Sequence, residues 1–174
     1  IKVIPCYYKK DYPEWSDRGD GPGAPVASNI PNSPIISTGK RDGSKIRLPN
    51  GNYLEETASY YVMIETKGGG YTPALITMKS TQLNVSKKWN SMMKTIQIPD
   101  GKGGFAIPPM HGVVYNLAST LQKNDKGSWY GWVVTQDRIL GQKDKSLYLE
   151  AKDFSGNVSK GNVQTKADVE EKAK

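Results

Sequence analysis

The run Lys123-Asn124-Asp125-Lys126-Gly127-Ser128-Trp129-Tyr130-Gly131-Trp132 holds the densest set of chemistry-bearing side chains in the sequence. Trp129, Tyr130 and Trp132 offer flat stacking surfaces directly after two lysines, Lys123 and Lys126. A sequence-tolerant single-strand site needs that combination. Stacking a base on an aromatic ring is worth about 1–3 kcal/mol, and lysine adds a salt-sensitive attraction to phosphate. Side chains alternate along a strand, so Tyr130 and Trp132 share one face and Trp129 takes the other. At least one of these sets is expected to pack inside, and the alternative for each ring is ordinary core packing. The same split separates Tyr60 from Tyr61. With Val62 and Ile64 inward, Tyr60 follows them, and Tyr61, Met63 and Glu65 face outward, making Tyr61 the stacking candidate. Tyr7, Tyr8, Tyr12 and Trp15 run beside Lys9, Lys10 and Arg18 into a Gly/Pro-rich stretch expected to close over a bound strand, with Trp15 exposed. Lys87, Lys88 and Lys94 lie in a segment with no acidic residue between Ser80 and Pro99, as a phosphate-attracting or simply solvated helix face.

Signals for bond chemistry are sparse. The single Cys6 and the single His111 exclude the usual zinc sites and any disulfide within the chain. His111 follows Pro108-Pro109-Met110 with no nucleophile motif near it, and Gly39 to Lys45 is not a phosphate-binding G-x-x-x-x-G-K-[ST] loop. Glu65-Thr66-Lys67 at a strand end is a conceivable magnesium-nuclease fragment but lacks a partner carboxylate at a persuasive spacing. The residues therefore predict a non-enzymatic protein without catalytic residues, metal or cofactor.

The elements that must position these residues follow from hydrophobic period and turn residues. Ile1 to Tyr8 reads as a strand, with Pro5 at an edge or bulge. From Asp11 to Gly43, recurrent Pro and Gly predict a long loop. Lys45–Leu48 and Tyr53–Glu55 flank Pro49-Asn50-Gly51-Asn52 as a small hairpin. Ser59–Thr66 and Thr72–Met78 are strands, and Val85, Trp89, Met92 and Ile96 recur at helical spacing after a cap at Ser80 or Thr81. Gly112–Leu121 and Ser128–Gln136 are two further strands, Leu147 to Ala151 fits either state, and the chain is expected to fray after Phe154. Without the early hairpin the order is β-β-β-α-β-β. That order predicts a mainly β fold, a five-stranded OB-like barrel with a loop and hairpin inserted after strand 1 (residues 11–58). One domain would span residues 1–154, and 155–174 would be a short polar extension. In such a barrel ligands cross strands 2 and 3, here Tyr60 to Met78, between the loop after Tyr8 and the loop at 122–127.

The whole chain fits this reading. Its 174 residues suit one domain, and the net charge of +7 is dispersed, with 11 basic against 8 acidic residues in 1–87 and 13 against 9 in 88–174. Most cations are lysines, which suit sequence-independent contact with a polyanion, although +7 also serves solubility. No apolar run of membrane-spanning length and no signal-peptide core is visible, so no membrane role is expected.

Pro73 to Asn90 and Lys123 to Tyr130, together with the strand, Lys, Tyr and Trp of Ile1 to Trp15, resemble tailed-phage single-stranded DNA-binding proteins of the OB-fold type. The resemblance implies an accessory protein of phage DNA replication or recombination in the cytoplasm of an infected bacterial host. Its partners would be single-stranded DNA and replication or recombination proteins, with self-association a further expectation. Many such proteins end in an acidic tail, whereas this chain ends Lys166-Ala167-Asp168-Val169-Glu170-Glu171-Lys172-Ala173-Lys174. A phage virion or host-surface carbohydrate-binding protein would use the same aromatic rings and is the alternative.

Overall fold

The computed structural model describes residues 1–17, 25–125 and 127–163. In chain order the strands are β1 (Lys2–Trp15), β2 (Ala27–Asn29), β3 (Lys40–Asp42), β4 (Lys45–Arg47), β5 (Tyr53–Glu55), β6 (Thr57–Glu65), β7 (Tyr71–Lys79), β8 (Ile98–Pro99), β9 (Phe105–Ala106), β10 (Val113–Asn124) and β11 (Gly127–Ile139). The α-helices are α1 (Pro34–Thr38), α2 (Leu83–Thr95) and α3 (Lys145–Ser159).

The protein is mainly β, built on a curled antiparallel half-barrel sheet in the order β7-β6-β1-β10-β11. A closed five-stranded barrel would also pair the third and fifth predicted strands, here β7 and β11, and among the described residues these two form no ladder. Instead, α2 packs against β6, β7 and β11, across the opening between the two edge strands. Trp89 of α2 is fully buried and stacks on Tyr60 at 4.3 Å between ring centroids, with Tyr115 edge-on at 5.6 Å. Val62, Met78 and Leu117 complete this core, and each such fully buried side chain contributes about 1.5–3 kcal/mol. The Tyr60 hydroxyl, bonded to Ser86, satisfies its polar end inside the core. The helical period is legible in the sequence, but the buried stripe is Ser86, Trp89 and Met93, continuing to Ile96. Val85 and Met92 lie at its margins.

Alternation along β1, β6 and β10 sends Ile4, Cys6, Met63 and Val114 to the opposite face, where α3 covers them through Ala151. The segment expected to fray after Phe154 is helical to Ser159, because Val158 is also buried.

β1 is longer than expected. Pro5 sits at a register shift in the β1/β6 ladder, which accommodates its missing N–H within a central strand. Beyond Tyr8 the strand continues through Pro13 to Trp15 and enters a second, smaller sheet with β2, β5, β4 and β3. The Asp11–Gly43 stretch is thus partly structured, and residues 18–24 lie outside the described residues. Proline at α1's first turn costs no hydrogen bond. The hairpin expected at 45–55 forms, pairing Lys45 with Glu55 and Arg47 with Tyr53, and Gly51 lies in the left-handed region at φ 89°. Buried Glu14 fixes that turn, one carboxylate oxygen accepting from the side-chain amides of Asn50 (3.1 Å) and Asn52 (2.6 Å).

Candidate nucleic-acid interface

The β10–β11 hairpin carries Lys123, Trp129, Tyr130 and Trp132 on one unit. Its outer part projects beyond the core, and from Ala118 onward most of β10 is exposed. Trp132 packs against the main core, so it is a structural residue in good part, and its backbone N–H donates to Gln82 Oε1 at 2.9 Å. Tyr130, on the same face two residues outward, is 72% exposed and stands opposite Leu121. Lys123 is the diagonal neighbour on that face and is exposed. Trp129 faces the other side, partly exposed, with its indole N–H buried and lacking an acceptor among the described residues. Lys126 lies outside the described residues.

Tyr61 requires a correction. The alternation that turns it away from Tyr60 is right, but on that face its own ring is buried. Tyr61 is only 6% exposed and meets the Tyr7 ring edge-on at 6.1 Å. Sequence reasoning took that face of the sheet as open, whereas the Tyr7 ring of β1 packs against Tyr61 there and α3 covers its neighbour Met63 further along the same face.

Trp15 stands at the junction of the two sheets, partly exposed, with the Lys79 ammonium 4.6 Å over its ring. Glu55 pairs with the same ammonium at 3.1 Å. Lys79 ends β7, and Ser80, at φ 48°, turns the chain sharply into the 3-10 turn Ser80–Gln82 that leads into α2. Three peptide links separate Lys79, over Trp15, from Gln82, bonded to Trp132, a span of at most about 11 Å. The fold therefore anchors Trp15 and Trp132, distant in sequence, at the two ends of one short segment. Lys87 and Lys88 are exposed on α2 just beyond it. Lys10 and Tyr12 meet Glu56 on the neighbouring rim, the Lys10–Glu56 pair at 2.6 Å. The hydrogen bond to Glu56 holds the Lys10 ammonium's pKa above its ordinary value despite partial burial.

The smaller sheet presents a second aromatic and basic row that the sequence reading missed. Trp15, Tyr53, Arg47 and Lys40 are successive register partners across β1, β5, β4 and β3 and so share a face. Lys45 sits 3.7 Å over the Tyr53 ring and Arg47 5.6 Å from its centroid. The opposite face carries Leu54 and Ile46, packed with Ile35 and Ile36. The signal was present as the alternation Lys45-Ile46-Arg47 opposite Tyr53-Leu54-Glu55, which assigns one face to the core and one to the outside.

Among the described residues no group of three or more His, Cys, Asp or Glu side chains converges, and no helix is long and apolar enough to cross a membrane. A family model described as Pam3 phage gp34-like protein matches residues 1–164. No curated protein and no solved structure matches the chain.

Proposed function

The chain belongs to the Pam3 phage gp34-like protein family, a phage family, and from that premise we propose that it binds single-stranded DNA with little sequence preference and catalyses no bond chemistry. Family membership bears out the phage side of the resemblance, and the binding activity is our own reading. The observation that carries it is the bridging of Trp15 and Trp132 by the Lys79–Gln82 segment, with exposed Tyr130, Lys123, Lys87 and Lys88 around it. Exposed rings beside lysines supply stacking and phosphate attraction. The strand order supports an OB-related origin. β7-β6-β1-β10-β11 is the order of a five-stranded barrel opened along one seam, and OB barrels are themselves only partly closed. In that frame the insertion after strand 1 and the β10–β11 hairpin are the two rims of the binding face. The protein would act in phage DNA replication or recombination within the infected host's cytoplasm.

Titration with oligo-dT, followed by tryptophan fluorescence at several salt concentrations, tests the proposal. Binding at low salt that weakens steadily as salt rises is expected. An absence of binding at low salt, or an affinity indifferent to salt, refutes it.

One observation favours the alternative of a virion or host-surface binding protein. Phe105 of β9 and Ile107 just after it, between α2 and β10, are 70% and 59% exposed, which suits docking on another surface. Recovery of the chain in purified particles, with glycan binding and no DNA binding, would select that reading.

A further inference from the structure

We propose that the Tyr53 face of the smaller sheet is an additional contact surface for the same single strand, taking one base on Tyr53 and its phosphates on Lys40 and Lys45. This inference rests on the single-strand reading above.

The row Trp15, Tyr53, Arg47 and Lys40 crosses four strands, and every member is exposed or partly exposed. Its two aromatic rings are not needed to fill the small core, which Leu54, Ile46 and Leu48 form on the other face with Ile35 and Ile36. The cations differ in their commitments. Arg47 is held by Asp17 at 2.6 Å and Asp42 at 3.3 Å, and Lys79 by Glu55. Arg47 and Lys79 therefore shape the surface more than they attract a polyanion. Lys45 rests on the Tyr53 ring at 3.7 Å, and Lys40 is exposed. Neither has a carboxylate within salt-bridge distance among the described residues.

A lysine parked on a partly exposed ring is weakly held, and a base stacked on the same ring is held more strongly. When a strand arrives, the Lys45 ammonium moves to a phosphate and leaves the Tyr53 face to the base, so one side chain's departure supplies both contacts. Trp15 joins this row to the site around Lys79.

Anisotropy of a labelled oligo-dT with the full chain tests this. Tyr53→Leu is expected to weaken binding about 5- to 160-fold, Tyr53→Phe to restore it, and Lys40→Gln with Lys45→Gln to lower the slope of log affinity against log salt by about 1.4. Thermal unfolding of each variant checks that the hairpin is intact, and the Tyr53→Phe rescue separates ring stacking from hairpin stability. Tyr53→Leu and the double lysine variant binding as the parent does would overturn this inference and leave the single-strand reading standing, whether or not Tyr130→Ser loses affinity. A parent chain that does not bind at low salt would remove both.

Discussion

Tyr130 and Trp89 show how little residue type alone decides. Both lie in aromatic- and lysine-containing segments, yet one is 72% exposed and the other fully buried. Tyr130→Ser is expected to leave stability within about 0.5 kcal/mol of the parent while weakening oligo-dT binding by the loss of one stacked base, about 1–3 kcal/mol. Trp89→Ala should cost about 3–5 kcal/mol in urea unfolding, because it removes the ring that Tyr60 and Tyr115 pack against. Cys6 makes the same point chemically. Burial beneath α3 pushes its thiol pKa up to about 12, so a thiol reagent at mildly alkaline pH should find no reactive group in the native protein and one per chain in denaturant. Rapid native labelling would show that α3 does not stay docked.

Among the elements, α3 has a pH-sensitive footing. His111, just before β10, lies with its ring 5.2 Å from Tyr148 of α3, and its Nε2 is buried without a partner among the described residues. Burial, and then the nearby Lys152 charge, hold its pKa below the ordinary 6.5. Above 6.5 the imidazole is neutral in both folded and unfolded chains and contributes no slope. As pH falls below 6.5 the unfolded chain takes up a proton that the native state resists, so stability declines until the native pKa is reached. Urea midpoints measured from about pH 7.5 down to about pH 5 should therefore fall, and His111→Phe should flatten the curve in that window. The lowered carboxylates Asp137 and Asp144 act at lower pH, where their own protonation removes what Asn116 and the Gly141 backbone contribute. An unchanged slope in His111→Phe would assign the effect elsewhere.

At the scale of the whole molecule, the dispersed +7 charge becomes an interface only where folding gathers it. If the strand passes the Lys79–Gln82 segment, Lys87→Gln with Lys88→Gln should reduce the salt slope of oligo-dT binding by about 1.4, roughly 0.7 for each lysine removed, without altering the fold. A slope equal to the parent's would leave these lysines as a solvated helix face. The sequence by itself determined the β-rich character, the helix between the third and fourth long strands, the 45–55 hairpin and the inward packing of Trp89, because period, turn residues and apolar spacing are local properties. It also determined which residues share a face of a strand, and placed Tyr61 opposite Tyr60. Only the tertiary structure decided that α2 and α3 pack on opposite faces of the half-barrel, that Tyr61 is buried beside Tyr7, that β1 runs on into a second sheet, and that Trp15 and Trp132 meet the ends of one segment. Those outcomes depend on which surfaces meet across long stretches of chain, and alternation along a strand says which side a residue faces but not what covers it.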